Sequence, residues 1–230
     1  MNELNENAKY GFEELDQLTG GLHKGELILV GARPGMGKSS FALNIAAYVA
    51  KINKKVLYIT LEMSKELIES RLDLQKDNSE EKQNGNPNIY IDDTPGIYIG
   101  ELRNKLMSIK EIDLVIIDYL QLISCEEIKE SRQLELSFIS RNLKSMAKEF
   151  NVSIICLSQL SRRLELRENK RPVISDLCEL GGVEQDFDTV LFLFRENDAA
   201  ECIIAKARYG KLKAIDMMWK PSCMRFISKQ

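Results

Sequence analysis

The sequence predicts an α/β fold: a twisted, mostly parallel β-sheet with helices on both faces and antiparallel strands at its C-terminal end. Two observations support this. Through most of the chain, apolar and β-branched runs of strand length alternate with stretches whose apolar residues recur at helical spacing. The last apolar runs follow one another without a helix between them, so hairpins are expected to extend one edge of the sheet: 189–194, 201–205, 215–219 and 224–227.

Composition limits the class of protein. The 230 residues suit one large domain or two small ones, and 44% hydrophobic content is enough for a core. A net charge of −3 is not that of a basic protein, so nucleic-acid binding needs a local patch. No apolar run is long enough to cross a membrane, and the five scattered cysteines suggest reduced thiols. We expect a cytoplasmic protein with a polar leader at 1–9 and one domain at 10–230.

A phosphate-binding loop is predicted near the start of the chain. The apolar run 26–30 leads into the glycine-containing segment 31–40, and Phe41, Ile45 and Val49 then recur at the spacing of a helix face. This order of strand, loop and helix cradles phosphates, because the loop N–H groups and the helix dipole both attract anions. The alternative, a glycine-rich turn with a surface lysine, does not account for the flanking strand and helix.

Lys38 and Ser39 are the residue types that such a loop requires. The lysine ammonium reaches the β- and γ-phosphates, and the serine hydroxyl ligates Mg²⁺. The strict pattern G-x-x-x-x-G-K-[ST] is not met, because an alanine stands where the pattern has its first glycine. Two later glycines still supply conformational freedom. The predicted site for ATP and Mg²⁺ comprises Ala32, Arg33, Pro34, Gly35, Met36, Gly37, Lys38, Ser39 and Ser40.

Two later strands end in an acidic residue. Glu62 follows the apolar run 56–61, and the run 114–117 leads into Asp118, which is the Walker B pattern after a phosphate loop. Open parallel sheets bind ligands at the carboxyl ends of their strands, so Asp118 is predicted to hold Mg²⁺ through water. Glu62 either polarises the attacking water or only favours the dipole of the next helix, and its position alone does not decide between them.

The following polar residues leave alternatives open. Gln159 comes after the apolar run 152–157, where an amide either binds phosphate or caps the strand end. The segment 161–172 is the most basic of the chain, and it is either a solvated loop or a contact for phosphates. Gly181 and Gly182 could let the backbone approach a ligand closely.

Several short motifs occur in order along the chain. They are GARPGMGKS at 31–39, LEMS at 61–64, DDTPG at 92–96, IIDYLQLI at 116–123, SQLSR at 158–162, KRP at 170–172, SDL at 175–177 and EQD at 184–186. Together they resemble the C-terminal ATPase domain of bacterial replicative DNA helicases, the DnaB-like family with the RecA-like fold of P-loop NTPases. Each motif is shared with other proteins, but the ordered set, from about Tyr10 to Phe226, is specific.

The resemblance implies roles for the matching positions. Lys38 and Ser39 bind phosphate and Mg²⁺, and Asp118 supports the metal. Glu62 is the implied catalytic base, and Gln159 is the implied sensor that links hydrolysis to DNA contacts. ATP and Mg²⁺ are the implied substrate and cofactor.

The resemblance also assigns basic residues from outside the phosphate loop. Arg71 matches an arginine near the nucleotide. The stretch 206–210 resembles the segment that reaches a neighbouring subunit's site, with Arg208 as the arginine finger and Lys206 as its companion. A finger supplied in trans makes hydrolysis depend on assembly, because the charge that stabilises the transition state is missing in a monomer. The family forms hexameric rings around single-stranded DNA.

Three departures from the family pattern affect these expectations. No N-terminal domain and almost no linker helix precede Tyr10, so ring formation is expected to be weak. The segment between 71 and 89 is shorter than usual. Cys178 and Leu180 stand where the DNA-binding loop usually has arginine and serine, which should weaken DNA binding. The DNA contacts that remain predicted are Glu179, Gly181 and Gly182.

Three functions therefore stay open. The first is an ATP-hydrolysing motor domain that translocates on single-stranded DNA as a ring, with a helicase loader or a primase as candidate partner. The second is a non-motor paralogue that binds nucleotide and regulates a full helicase. The third is a RadA- or KaiC-like ATPase. The glycine pattern at 20–25, near the start of this chain, also fits those families. The runs 118–121 and 158–161 favour the helicase.

Overall fold

A computed structural model describes residues 7–76, 86–109, 111–128, 130–180 and 182–229, without the side chains of residues 163 and 178–180. Most of the predicted leader, residues 1–6, lies outside this description. The helices are α1 (Glu13–Thr19), α2 (Lys38–Lys51), α3 (Lys65–Gln75), α4 (Ile99–Ser108) and α5 (Arg132–Glu149). The strands are β1 (Leu27–Ala32), β2 (Val56–Thr60), β3 (Ile89–Asp92), β4 (Leu114–Asp118), β5 (Ser153–Gln159), β6 (Thr189–Glu196), β7 (Ala199–Ala207), β8 (Ala214–Lys220) and β9 (Arg225–Ser228).

All these strands form one sheet in the order β3-β2-β4-β5-β1-β6-β7-β8-β9. The pairs from β3 to β6 are parallel, and the pairs from β6 to β9 are antiparallel. The predicted mostly parallel sheet with C-terminal antiparallel strands is therefore confirmed. Parallel neighbours need crossover connections, which the helices provide, whereas the last strands are joined directly.

The sheet is covered by apolar side chains on both faces, as predicted. Leu27 and Leu29 of β1 belong to one core, together with side chains of α4 and α5. Ile28 and Val30 belong to the other core, with side chains of α1, α2 and α3. A central parallel strand buries both of its faces, which explains its continuous apolar run. None of the described helices is both long enough and apolar enough to span a bilayer.

The structure defines the start of α3, the end of β5 and the conformation of the basic segment. α3 begins at Lys65, because the Ser64 side chain accepts a hydrogen bond from the Leu67 N–H and caps the helix. β5 extends to Gln159, so this residue stands at the carboxyl end of a strand, as predicted. The basic segment 161–172, predicted as either a solvated loop or a phosphate contact, contains a 3₁₀ helix at Arg162–Leu166.

Candidate functional site

The predicted phosphate loop joins the carboxyl end of β1 to the N-terminus of α2. Two turns shape it: the Met36 N–H donates to Arg33 O at 3.3 Å, and the Phe41 N–H donates to Gly37 O at 2.9 Å. The φ angles of Gly35 and Gly37 are 77° and 91°. Residues with a Cβ atom rarely adopt these angles, so the loop path depends on glycine at both positions. α2 has no side-chain N-cap, and its first backbone N–H groups remain available to an anion.

Two arginine side chains fix this loop to neighbouring segments. The Arg33 side chain is only 9% exposed; its guanidinium donates to Leu160 O at 2.8 Å and to Glu165 through Nε at 2.9 Å. Arg33 can therefore offer a ligand its backbone but not its guanidinium in this conformation. Arg195 Nη2 donates to Gly35 O at 2.7 Å. The sequence provided no signal for Arg195, because its partner lies 160 residues away along the chain.

Lys38 lies among acidic and aromatic groups at the start of α2. Its Nζ atom is 3.9 Å from Asp118 Oδ1 and 4.7 Å from the centroid of the Tyr119 ring. Burial lowers the pKa of Lys38, while the negative charges of Asp118 and Glu62 oppose that change. The side chain is 12% exposed. The ammonium thus lies in a cleft in which its interactions with phosphate are weakly screened by water.

Asp118 is fully buried at the end of β4, and its two oxygens have different surroundings. Oδ2 accepts a hydrogen bond from the Tyr58 hydroxyl at 3.1 Å. Oδ1 has no hydrogen-bond partner among the described residues. A buried carboxylate oxygen without a partner is unfavourable unless a cation or its water faces it. The oxygen donors available here, the Asp118 carboxylate at the end of β4 and the Ser39 hydroxyl in the first turn of α2, fit Mg²⁺, which prefers oxygen ligands and retains waters.

Glu62 and Arg71 flank this cleft. Thr60 of β2 is in register with Asp118, and the Leu61 N–H donates to Asp118 O at 2.8 Å, so Glu62 follows directly beside the acidic end of β4. Burial raises the pKa of Tyr119, and the negative charge of Glu62 raises it further. Burial and the charge of Asp118 raise the pKa of Tyr58, and the positive charge of Arg71, on α3, opposes that rise. Sheet register therefore brings the side chains predicted from separate motifs around one point.

Gln159 ends β5, the strand that lies between β1, which leads into the phosphate loop, and β4, which ends in Asp118. It pairs in register with Ala32, the last residue of β1, and its side chain is exposed. Gln121 anchors its backbone: Gln121 Nε2 donates to Gln159 O and to Ser158 Oγ, both at 3.0 Å. The amide of Gln159 is thereby presented from a strand end fixed to the segment after Asp118. Gln121 belongs to a motif, but the sequence alone assigned it no role.

Lys206 and Arg208 lie at the opposite end of the sheet. Ala207 pairs with Thr189, the first residue of β6, and the Arg208 N–H donates to Asp188 O at 2.9 Å. Asp188 in turn accepts a hydrogen bond from the N–H of Leu27, the first residue of β1. The six residues of β1 therefore separate Arg208 from the phosphate loop, a distance of about 17 Å.

The two side chains contact the chain's own residues in this conformation. Arg208 Nη1 donates to Asp188 Oδ1 at 2.9 Å, and the Arg208 side chain is 59% exposed. Lys206 Nζ donates to Glu184 O at 2.7 Å. Burial would raise the pKa of Asp188, but hydrogen bonds from Leu27 N–H, Lys144 and Arg208 lower it overall. Asp188 is thus a charged anchor beside an exposed arginine.

The region predicted to contact DNA is only partly described. Gly182 has a φ of 85° and precedes a 3₁₀ helix at Val183–Gln185. Gly181 and the Glu179 side chain lie outside the described residues. In the basic segment, Arg167 pairs with Asp176 at 2.8 Å and Arg171 pairs with Glu201 at 2.5 Å, so these two cations are partly neutralised.

Comparison with known proteins identifies related sequences and structures. A family model described as the DnaB-like helicase C-terminal domain matches residues 8–84 and 72–228. The chain is 40% identical to the replicative DNA helicase DnaC of Bacillus subtilis and 39% identical to the replicative DNA helicase DnaB of Geobacillus stearothermophilus. In each case 95% of this chain is aligned, but only 56% of the relative. The chain therefore spans little more than half the length of these relatives.

Solved structures agree with the sequence comparison. A solved ATPase domain superimposes with a TM-score of 0.91 at 33% identity, over 99% of this chain and 94% of that one. A DnaB-like replicative helicase, solved in a study of its interactions with primase, superimposes with a TM-score of 0.89 at 32% identity. That match covers 97% of this chain and 62% of the other.

Proposed function

Because this chain belongs to the DnaB-like helicase C-terminal domain family, we propose that it is the ATP-hydrolysing motor domain of a replicative DNA helicase. In this proposal residues 10–230 form one ATPase domain that moves along single-stranded DNA as part of a ring. The observation that supports it most is the convergence of Lys38, Asp118 and Glu62 beside a phosphate loop. Three strand ends and one helix start contribute to that cleft, which is the arrangement that phosphoryl transfer requires.

Within this cleft each side chain has a distinct task. Lys38 binds the β- and γ-phosphates, and the backbone N–H groups of residues 35–40 surround them. Ser39 and Asp118 hold Mg²⁺, which when bound neutralises charge on the phosphates. Glu62 orients and polarises the attacking water as general base. Gln159, at the end of β5, contacts the γ-phosphate and responds to its loss.

Arg208 is proposed to act on a neighbouring subunit's nucleotide. A side chain about 17 Å from its own phosphate loop is too far to reach its own γ-phosphate, even when extended. Its exposure at the sheet end leaves it accessible to a second copy of the chain. Lys206 lies two residues earlier and is proposed to accompany it. Arg71 contributes positive charge near the nucleotide from α3 within the same subunit.

Partners follow from the same proposal. The chain assembles with copies of itself in a hexamer. Single-stranded DNA contacts the region of Glu179, Gly181 and Gly182. A helicase loader or a primase is a further partner, and the primase is supported by the related helicase whose structure was solved in a study of its interactions with primase.

The decisive experiment compares ATP hydrolysis by wild type, Lys38→Ala and Arg208→Ala across protein concentrations, with and without single-stranded DNA. Lys38→Ala should abolish hydrolysis at every concentration. Arg208→Ala should keep the dilute basal rate and lose only the part that rises with assembly, by roughly a thousandfold in a formed ring. Lys213→Ala is the matched control, because it removes an exposed cation of the same hairpin that pairs with Glu14.

Two outcomes would contradict the proposal. Full activity of an assembled Arg208→Ala ring would show that the finger lies elsewhere. Hydrolysis that responds neither to assembly nor to single-stranded DNA would instead favour the non-motor partner of a full helicase.

A further inference from the structure

Tyr58 lies on the same face of the sheet as Asp118. It occupies the middle of β2, where it pairs in register with Ile116 of β4, and Asp118 is two residues further along β4. Alternate residues of a strand share a face, so the tyrosine is the diagonal neighbour of the aspartate, within reach of a long aromatic side chain. Both side chains are completely buried. The hydroxyl of Tyr58 donates to Asp118 Oδ2 at 3.1 Å.

This hydrogen bond leaves the two carboxylate oxygens inequivalent. Oδ2 is occupied by the phenol, whereas Oδ1 faces Lys38 Nζ at 3.9 Å and has no hydrogen-bond partner in the described part of the chain. The gap is longer than a hydrogen bond, so the aspartate does not close onto the lysine. A carboxylate that could rotate freely would approach the ammonium and compete with phosphate for it.

We propose that Tyr58 is a positioning residue for metal binding: its hydroxyl holds Asp118 so that Oδ1 faces the site of the hydrated Mg²⁺ and stays apart from Lys38. The inference rests on the proposed nucleotide site and adds to it a residue that no sequence motif identifies. Tyr58 touches neither phosphate nor metal and acts only through the carboxylate.

The chain offers a closely matched control in Tyr10. It too is fully buried, but its hydroxyl has no hydrogen-bond partner among the described residues. Tyr10→Phe and Tyr58→Phe therefore remove the same atom from comparable surroundings, and only the second breaks a hydrogen bond to a charged group. Effects of core packing should appear in both variants, and effects of carboxylate orientation should appear only in Tyr58→Phe.

The test measures binding of a fluorescent ADP analogue at increasing free Mg²⁺ and again in EDTA. Tyr58→Phe should raise the Mg²⁺ concentration for half-maximal binding by about tenfold, the effect expected for a lost hydrogen bond to a charged group. Metal-free binding should change much less, and Tyr10→Phe should match wild type throughout. Equal Mg²⁺ dependence in wild type and Tyr58→Phe, or equal shifts in both variants, would overturn the proposal.

A double-mutant cycle keeps the test decisive if Tyr58→Phe is unstable. In an Asp118→Asn background the Tyr58→Phe change should have no further effect on Mg²⁺ dependence, because the group on which it acts is gone. An undiminished effect in that background would contradict a role through Asp118. Lys38→Ala separates the two proposals: if wild type binds nucleotide no better than Lys38→Ala, the nucleotide site itself is wrong.

Discussion

Replacing Gly37 with alanine tests how tightly the phosphate loop is packed. A Cβ atom at this position would lie 2.9 Å from Phe226 Cζ and 3.4 Å from Trp219 Cζ3. The φ angle of 91° adds about 1–2 kcal/mol of backbone strain for any L-residue. Displacing the packed rings adds about 1–3 kcal/mol. Gly37→Ala should therefore reduce the free energy of unfolding by roughly 2–5 kcal/mol.

Gly35→Ala is the matched control in the same loop. Its φ angle of 77° is similarly strained, but an added Cβ meets no atom within 4 Å. This variant should therefore lose only the strain, about 1–2 kcal/mol. Urea unfolding of the nucleotide-free protein, followed by the fluorescence of Trp219, measures both. The indole is the only one in the chain and lies beside the loop, so its emission should also shift in Gly37→Ala.

The comparison has a clear refuting result. If Gly37→Ala is no less stable than Gly35→Ala, the contact between the loop and the aromatic side chains of β8 and β9 does not constrain the loop. If Gly37→Ala also binds nucleotide like wild type, the loop path does not depend on glycine there.

Three further predictions concern buried titratable groups. Asp118→Asn should abolish Mg²⁺-dependent hydrolysis, because the amide that replaces the buried carboxylate carries no charge to hold the cation, and calorimetry should still show one cooperative unfolding transition. Asp188 has a lowered pKa when folded, so its stabilising contribution is complete above the unfolded value of about 3.9 and is lost as pH falls through the folded value. Urea midpoints should therefore fall more steeply below about pH 4 in wild type than in Asp188→Asn, and equal slopes would contradict this. Burial raises the pKa of the Cys202 thiol to about 12, so a maleimide at neutral pH should label the half-buried Cys223 and spare Cys202 until the protein unfolds, as peptide mass mapping would show.

Local signals were sufficient for much of the fold. Apolar runs of strand length predicted the parallel strands, because a strand buried on both faces must be apolar at every position. Consecutive strands without a helix predicted the antiparallel edge. The phosphate loop was recognisable because its strand, glycines, lysine and helix are contiguous in sequence. Lys38 and Asp118 could therefore be proposed as site residues before any contact was known.

The positions of side chains relative to one another needed the sheet register. Nothing near Tyr58 indicates that its hydroxyl meets Asp118, 60 residues later, because that contact depends on β2 lying next to β4. Arg33 was predicted to bind ATP from its place in the loop, but its guanidinium is held by Glu165, 132 residues away.

The sequence by itself determined which chemical groups stand at the strand ends, because hydrophobic periodicity and glycine placement are local properties of the chain. Only the tertiary structure decided which of those groups meet and which are kept apart. Strand order and register set those distances: they place Lys38 beside Asp118, and they place Arg208 a full strand length from the loop of its own chain. The pattern of residues in the sequence specifies the buried faces and the ends of each strand, whereas long-range packing determines which strands become neighbours.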